Sequence, residues 1–542
     1  MTLDVTPERP ADRTANDAGT APDAATSDPA ASAAAASDAA ASVAADRDAE
    51  FARLANGVLW PGFFGTELPE WLAAELRDGL AGVVYFAQNL SPHLDRLSAA
   101  IHEANPRALI GVDEEGGSVT RLEARTGSTA PGAAQLGALD DVDATRATGA
   151  ELARRIREAG ADVLIGPVAD VNTDPRNPVI GVRAFGADTA LVSRHAVAQV
   201  EGIQGSGVAA CVKHFPGHGD THLDSHHGLP RIAADPAEFD RVHVEPFRAA
   251  IASGARSVMT AHIVVPAWGE EPATLNPRVL GMLRAAGFDG VIVTDALDMA
   301  AIRESVGIGG GAVRALAAGA DLLCVGNPTN PGDGAAVDQD QRDFHAAKDA
   351  IVRALADGTL SVQRVTEAAA RVARLADELA AERAQEHPGV PEDLRGIVRR
   401  AITVQGDLGA PASGLVVLDA RRRATLAVDS AAPYVVDALT AGAWSHRIDA
   451  ERATDAEVAG AVAEARAAAA ASGSRIVALV DRIDTDEAQR RFVDAVAAAD
   501  PGAVVVNVGL PGAAVALPVL DVRASSRIGA ELAREVLVGG SR

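Results

Sequence analysis

The sequence predicts an α/β protein in which a (β/α)8 barrel is followed by a smaller α/β sandwich domain. From about residue 50 onward, short apolar runs alternate with Ala-rich stretches of helical period, which is the pattern of repeated βα units. Eight such runs occur over roughly 270 residues, and barrels of about 250 residues are typical. The number of runs and the length they occupy therefore favour a barrel over a doubly wound sheet.

Each predicted barrel strand is a short apolar run, as expected for parallel strands that are buried on both faces. The eight runs are Gly57–Trp60, Ala81–Phe86, Ala108–Val112, Ala161–Val168, Val208–Val212, Ser257–His262, Gly290–Thr294 and Asp321–Val325. The amphipathic stretches between them end near glycines, which can close a helix in the left-handed conformation. These predicted helices are Ala144–Ala159, Thr189–Ile203, Ala237–Ala252, Pro277–Ala286 and Gly311–Ala318.

Two prolines mark the predicted end of the barrel domain. Helices are predicted at Gln341–Leu355 and Ser361–Arg383, and the sequence His387-Pro-Gly-Val-Pro391 then interrupts any further helix. The C-terminal domain is predicted from strands Gly414–Leu418, Ala424–Val428, Ile476–Val480 and Ala503–Val508 and from helices Asp455–Ala471 and Asp486–Ala499. The predicted divisions are a disordered tail (1–48), the catalytic barrel (49–386), a linker (387–410) and the C-terminal α/β domain (411–542).

The composition and net charge exclude some function classes and indicate the cellular compartment. The 542 residues carry a formal net charge of −25, which opposes binding to nucleic acid or to an acidic membrane. The two cysteines are too few for a disulfide framework. The Ala-rich tail lacks the continuous apolar segment of a secretory signal, and no later stretch approaches the ~18 apolar residues that span a bilayer. We therefore expect a cytoplasmic protein.

Ionisable side chains follow five successive predicted strands, from the third to the seventh. In a parallel barrel the carboxyl ends of the strands meet at one face, and that face carries the active site. The sequence therefore predicts a site built from residues that are far apart in the chain. The residues at these strand ends are Asp113, Asp170, Lys213, His214, His262 and Asp295.

A cluster of histidines follows the fifth predicted strand. Five of the 13 histidines fall between positions 214 and 230, which indicates either metal binding or proton transfer. Pro216, Gly217 and Gly219 disfavour one continuous helix that would stack the imidazoles, so we expect no metal. Asp224 lies two residues before His226 and can fix the tautomer of its ring, as a general acid/base requires. The alternative is that both are solvated loop residues.

Several candidate residues also have a structural interpretation. Asp295 ends a run that should be buried, so its carboxylate either points into the pocket or caps the following helix. Asp113 has the same two interpretations, and the two glutamates that follow it are expected to be loop structure rather than catalysts. Arg121 and Arg183 either pair with these carboxylates or donate to substrate hydroxyls.

Several motifs, taken in chain order, resemble glycoside hydrolase family 3, and specifically its β-N-acetylglucosaminidase branch. The resemblance covers about residues 53 to 330. The motifs are Asp113-x-Glu-Gly-Gly117, Asn177-Pro-Val-Ile-Gly-Val-Arg183, Lys213-His-Phe-Pro-Gly-His-Gly219 with Asp224-Ser-His226, Ala261-His-Ile-Val-Val-Pro266 and Val293-Thr-Asp-Ala-Leu-Asp-Met299.

The resemblance implies a retaining double displacement without a cofactor or metal. By it, Asp295 is the nucleophile and His226, assisted by Asp224, is the acid/base, which departs from the usual pair of carboxylates in retaining glycosidases. A histidine suits proton transfer near neutral pH. The resemblance also implies a binding pocket for the non-reducing N-acetylglucosamine, made by Asp113, Arg121, Arg183, Lys213 and His214.

The function predicted on this basis is an exo-acting β-N-acetylglucosaminidase on peptidoglycan or chitin fragments. The expected partner is therefore a small oligosaccharide or muropeptide, and neither nucleic acid nor a membrane is expected. A phosphorylase, in which phosphate rather than water attacks the glycosyl-enzyme, remains open because an imidazole does not repel an anionic acceptor. Two further alternatives are a zinc-dependent barrel hydrolase that uses the histidine cluster and a non-catalytic sugar-binding barrel.

Overall fold

The computed structural model describes residues 42, 45–222, 228–387, 393–422 and 432–539. Residues 51–542 form one compact unit. In the unit before it, residues 1–50, the structure describes helical residues at 42 and 45–50. Most of the predicted tail (1–48) and the predicted strand Ala424–Val428 therefore lie outside the described residues.

All eight strands predicted for the barrel are present, together with a short hairpin. Their bounds are β1 (Leu59–Pro61), β2 (Gly82–Tyr85), β3 (Leu109–Val112), the hairpin β4 (Glu114–Gly116) and β5 (Val119–Thr120), β6 (Val163–Leu164), β7 (Ala209–Phe215), β8 (Ser257–Thr260), β9 (Val291–Val293) and β10 (Leu323–Gly326). Six of them form a parallel sheet in the order β2-β3-β6-β7-β8-β9, while β1 pairs in parallel with β10. The chain is therefore an α/β protein with a curved parallel sheet.

Helices alternate with these strands and pack against the sheet. They are α1 (Glu70–Arg77), α2 (Leu94–Ala104), α3 (Ala133–Leu139), α4 (Val142–Glu158), α5 (Thr189–Gly205), α6 (Pro236–Phe239), α7 (Glu245–Ala252), α8 (Pro277–Ala285), α9 (Ala300–Arg303), α10 (Gly307–Ala318), α11 (Gln339–Asp357) and α12 (Val362–Arg383). Side-chain caps fix several starts: the carboxylate of Asp188 accepts the N–H of Leu191 at the start of α5. At Gly202 a Cβ atom would lie 2.0 Å from the carbonyl oxygen of Arg146, so α4 and α5 approach closely only because glycine stands there.

The helix predicted at Ala237–Ala252 is divided by a π-helical segment, Asp240–Val244, between α6 and α7. Pro246 lies in the first turn of α7 and has no N–H to donate to the carbonyl of Val242. The hydroxyl of Thr189 donates to that carbonyl oxygen instead, at 3.2 Å. A missing backbone donor thus explains why the regular helix predicted there is interrupted.

The C-terminal part holds a second sheet with helices on both faces. Its elements are α13 (Leu394–Ala401), β11 (Thr403–Gln405), β12 (Leu415–Asp419), α14 (Pro433–Thr440), β13 (Ser445–Arg447), α15 (Asp455–Ser472), β14 (Arg475–Val480), α16 (Glu487–Ala499), β15 (Val504–Asn507), β16 (Val519–Asp521) and α17 (Arg527–Val538). The strand order is β11-β16-β15-β14-β12-β13, with only β11 antiparallel. Alternate residues of β12 belong to two separate hydrophobic clusters, so both faces of the sheet are buried.

The residues of the predicted linker hold a helix, α13, and an edge strand, β11, that pairs with β16. Neither element is predicted from the sequence. For the strand the reason is its length, since three residues show too little alternation of apolar and polar side chains to be detected. Among the helices of the described part of the chain, none combines the length and the apolar character needed to cross a membrane.

Candidate active site

A cavity of about 110 Å³ lies where the parallel strands of the first sheet end. Its wall is made by residues at or just beyond the carboxyl ends of strands that include β2, β3, β7, β9 and β10. Six residues predicted for the site line this cavity: Asp113, Arg121, Arg183, Lys213, His214 and Asp295. The structure therefore brings together the proposed nucleophile and every residue proposed to bind the sugar.

The predicted acid/base pair, Asp224 and His226, lies outside the described residues. Their assignment therefore rests on their positions in the motif. The structure describes the loop up to His222 and again from Gly228.

Lys213 is the centre of a buried ionic network. Its Nζ atom lies 2.7 Å from Oδ1 of Asp113 and 2.7 Å from Oε1 of Glu115, and only 3% of its side chain is exposed. Arg183 holds the same glutamate in a two-pronged contact, with Nη2 2.7 Å from Oε1 and Nε 2.9 Å from Oε2. Arg121 approaches Asp113 to 3.6 Å. Two carboxylates and three cations are thus held in fixed orientations at the base of the cavity.

The network keeps its members charged despite their burial. Burial disfavours the charged form of Asp113, but the charges of Lys213 and Arg121 outweigh it and lower the pKa of this carboxyl. Burial is likewise outweighed at Glu115, whose pKa is lowered by Arg183 and Lys213. Burial would depress the pKa of Lys213, yet the two carboxylates raise it. Charged donors and acceptors are therefore available to a polar ligand in a site of low dielectric.

His214 forms a buried pair with Asp170. Nδ1 of His214 lies 2.7 Å from Oδ2 of Asp170, and Oδ1 of the same carboxylate accepts the backbone N–H of His218 at 2.7 Å. A carboxylate can only accept here, so Nδ1 carries the proton and Nε2 faces the guanidinium of Arg183 at 3.5 Å. Burial lowers the pKa of His218 to about 4, so this second ring is neutral at physiological pH.

Asp295 lies two residues beyond β9 and does not cap a helix. The next helix, α9, has Met299 at its N-cap position and no side-chain cap, so the helix-capping interpretation of Asp295 is wrong. Its Oδ1 atom accepts the N–H of Ala296 at 2.8 Å. His262 donates from Nε2 to the carbonyl oxygen of Ala296 at 2.9 Å and thereby holds the peptide that follows the carboxylate.

Three residues of the site were not predicted as site residues. Glu115 was expected to be loop structure, but the hairpin β4–β5 turns its side chain into the ionic network. The sequence places Asp170 at a strand end but indicates no role for it, because its partner His214 lies 44 residues further along the chain. Asn330 lines the cavity and donates to Oδ2 of the buried Asp298 at 2.6 Å. No local pattern identifies it.

No group of three or more His, Cys, Asp or Glu side chains could hold a metal ion in the part of the chain that the structure describes. Both cysteines are buried, and Cys324 lines the cavity. Burial raises the pKa of the Cys211 thiol to about 12 and raises that of Cys324 as well. These thiols therefore remain protonated and are poor nucleophiles.

Glu114 has the structural role expected of it, and this role predicts a pH-dependent stability. Its Oε2 accepts the backbone N–H groups of Arg121 and Leu122 at 2.9 and 3.0 Å, and burial raises its pKa from 4.5 to about 7. The folded state therefore holds this proton more tightly than the unfolded state, and stability is lost as the pH rises from about 4.5 towards 7.

We expect Glu114→Gln to raise the melting temperature relative to the native chain at pH 8, because the amide keeps the accepting oxygen and never ionises. The difference in free energy of unfolding is on the order of 2 kcal/mol at pH 8 and shrinks at pH 5. Thermal unfolding of both proteins at the two pH values measures it. A difference that is the same at both pH values would contradict the titration of Glu114.

A parallel α/β sheet whose strand ends gather a carboxylate and a charged hydrogen-bonding network around a small cavity is an arrangement typical of enzymes that act on polar small molecules. The particular family follows from a match over more than half of the chain: residues 65–375 match the Glycosyl hydrolase family 3 N terminal domain. The chain belongs to this family, which confirms the resemblance.

Relatives and solved structures agree with this assignment. The chain is 39% identical over 290 residues to a beta-hexosaminidase of Stenotrophomonas maltophilia, which is 49% of this chain and 82% of that protein. It is 32% identical over 342 residues to beta-hexosaminidase A of Pseudoalteromonas piscicida, with 58% of this chain aligned and 56% of the relative's length spanned. A family 3 beta-N-acetylglucosaminidase structure from Paenibacillus sp. has a TM-score of 0.75 at 29% identity, covering 90% of this chain and 97% of that one.

Proposed function

We propose that this protein is a retaining exo-β-N-acetylglucosaminidase that hydrolyses terminal N-acetylglucosamine from peptidoglycan or chitin fragments. The observation that carries the proposal is the cavity in which Asp295 lies beside the Lys213 network, in a chain whose relatives are beta-hexosaminidases. The small size of this cavity, about 110 Å³, supports binding of a single terminal sugar residue.

The proposed reaction has two displacements at the anomeric carbon. An oxygen of Asp295 attacks this carbon, and the bond to the aglycone breaks as His226 gives its proton to the leaving oxygen. His226 then takes a proton from water, whose oxygen displaces Asp295 and releases the sugar with its configuration retained. Asp224 fixes the tautomer of His226 through both steps.

Recognition of the sugar is assigned to the buried network. Lys213 and Arg183 donate to sugar hydroxyl oxygens, while Asp113 accepts from hydroxyl groups. Their mutual contacts hold each side chain in place before substrate arrives, so little conformational entropy is lost on binding. The His214–Asp170 pair adds an oriented imidazole to the same wall, and Arg121 supports Asp113 from the other side.

We also propose that the eight parallel strands close into one (β/α)8 barrel over residues 49–386, followed by a C-terminal α/β sandwich domain over 411–542. Two contacts outside the assigned sheets support closure. In the first, Val293 and Leu322 form a parallel bridge between the chain segments of β9 and β10. The N–H of Ala81 donates to the carbonyl oxygen of Asn56 at 2.9 Å, between β1 and β2.

Product analysis with and without phosphate tests the proposed function. We expect an N-acetylglucosaminyl disaccharide to give free N-acetylglucosamine at the same rate with phosphate and without it. A matched glucoside should react poorly under both conditions. N-acetylglucosamine 1-phosphate as the main product would show instead that phosphate is the acceptor and that the enzyme is a phosphorylase.

The two lysines of the chain offer a matched pair of variants. Lys213→Arg places a wider, planar fork where a compact ammonium bridges Asp113 and Glu115 within the buried network. We expect a roughly tenfold higher KM with a smaller change in kcat, because binding geometry is disturbed while the reacting groups remain. Lys348→Arg, on α11 beside Glu75, is the control and should leave both constants unchanged. An unchanged KM in Lys213→Arg would remove Lys213 from the binding pocket.

A further inference from the structure

A second and larger cleft, of about 540 Å³, lies between the first domain's segment 175–182 and the C-terminal sheet. Ile180 and Val182 face this cleft, whereas Val179 and Arg183 of the same segment face the catalytic cavity. The segment is therefore a wall shared by two separate cavities. It is anchored by Asn177, whose Nδ2 donates to the carbonyl oxygen of His218 at 2.8 Å.

The topology of the C-terminal sheet places this cleft where α/β proteins bind ligands. In the sheet order β13-β12-β14-β15-β16, β13 lies on one side of β12 and β14 lies on the other. The direction in which the chain adds strands therefore reverses between β12 and β14. The crevice beyond the carboxyl ends of two such strands is the usual position of a ligand in open α/β sheets. Residues that directly follow β12 and β14, among them Arg422 and Arg482, line the cleft.

Two of the arginines in the cleft are neutralised by nearby carboxylates. Arg422 contacts Asp486 and Glu451, each at 2.9 Å. Arg447 contacts Oδ2 of Asp419 at 3.2 Å. Neither guanidinium therefore needs a ligand to balance its charge.

Arg482 differs from them. Among the described residues no carboxylate lies within ion-pair distance of its guanidinium, whose one hydrogen bond there runs from Nη1 to the carbonyl oxygen of Arg176 at 3.4 Å. The neighbouring Asp481 is engaged elsewhere, since its Oδ1 accepts from the N–H of Arg422 and from Nε2 of Gln489.

The guanidinium of Arg482 thus carries a charge that has lost part of its hydration. Arg482 is partly buried, and this burial lowers the pKa of its guanidinium although the nearby charges of Asp481, Asp484 and Asp486 act to raise it. An oxyanion bound in the cleft would form charge-assisted hydrogen bonds with this planar guanidinium, whose geometry suits carboxylate and phosphate groups. Beside it, Pro178, Ile180 and Leu510 offer apolar surface to the rest of a ligand.

We propose that this cleft is a second binding site, separate from the catalytic cavity, for a small molecule that carries one carboxylate or phosphate group on a largely uncharged body. Arg482 holds the anionic group, and the apolar wall of segment 175–182 contacts the body of the ligand. The proposal does not depend on which acceptor the enzyme uses in its reaction.

Calorimetric titration of the full-length chain tests the site, with saturating N-acetylglucosamine present to fill the catalytic cavity. N-acetylmuramic acid is the carboxylate probe and N-acetylglucosamine 6-phosphate is the phosphate probe. We expect at least one probe to bind, with at least tenfold weaker binding to Arg482→Gln and a smaller loss in Arg482→Lys. Arg491→Gln, an exposed arginine on α16 outside this cleft, is the matched control and should bind like the native chain.

Hydrolysis of a chromogenic N-acetylglucosaminide by Arg482→Gln should match that of the native chain, which shows that the variant is folded and that its catalytic cavity is intact. Absence of binding by both probes at millimolar concentration, or equal binding by the native chain and Arg482→Gln, would overturn the proposal. Binding of only one probe identifies the group as carboxylate or phosphate. Because hydrolysis is measured separately, a failure here is distinct from a failure of the proposed function.

Discussion

Asp295→Asn is expected to lower kcat/KM for a chromogenic N-acetylglucosaminide by roughly 10⁴-fold or more, since loss of a covalent nucleophile removes the whole double displacement. The side chain lies at the cavity wall two residues beyond β9, and it caps no helix, so folding should be little affected. The amide keeps the size of the carboxylate and removes its charge. Steady-state kinetics and the melting temperature of the variant are the measurements.

Asp289→Asn is the matched control for this substitution. Asp289 is exposed, precedes β9 and contacts arginines on α12, so it tests the same chemical change outside the cavity. We expect kinetics close to those of the native chain. Near-native turnover by Asp295→Asn, measured beside this control, would remove Asp295 from the reaction.

His226→Ala is expected to lose about 10²–10⁴-fold in kcat/KM on substrates with poor leaving groups, because their departing oxygen needs a proton. With a leaving group of low pKa the loss should be much smaller in the first step, since little protonation is needed. A series of aryl N-acetylglucosaminides of increasing leaving-group pKa measures this dependence. His227→Ala, next to it in the chain, is the control.

The contrast between these two histidine variants decides which imidazole transfers the proton. We expect a steep dependence on leaving-group pKa in His226→Ala and a native dependence in His227→Ala. The opposite result would move the acid/base role to His227. Native behaviour in both variants would assign proton transfer to another group, and His214, which is buried against Asp170, is one candidate in the described part of the cavity.

The first sheet could be predicted from the sequence because its strands are buried on both faces. Apolar runs such as Ser257–His262 and Gly290–Thr294 leave few other interpretations, and β8 and β9 lie within them. The edge strands of the second sheet were missed for the opposite reason. β13 is three exposed residues, Ser445–Arg447, whose pairing with β12 depends on the folded sheet rather than on their own composition.

Some residues of the candidate site could likewise be predicted from the sequence, and others could not. Asp113, Lys213 and Asp295 could be identified because each follows a predicted strand, and strand ends converge at one face. The direction of the Glu115 side chain could not be predicted, since it depends on the hairpin that follows β3 and on two cations, Arg183 and Lys213, that are distant in the chain. The role of Asp170 likewise appears only when His214 lies beside it. Partners that meet through tertiary structure leave no local signal.

The central claim is that Asp295 becomes covalently linked to the sugar, and trapping of this intermediate tests it most directly. The native chain would be incubated with a fluorinated N-acetylglucosaminyl fluoride that forms the glycosyl-enzyme faster than water releases it, then digested and analysed by mass spectrometry. We predict one added sugar per chain, on the peptide that contains Asp295, and no label on Asp295→Asn. A label on a different residue, or an inactivated enzyme that carries no sugar on Asp295, would contradict the account.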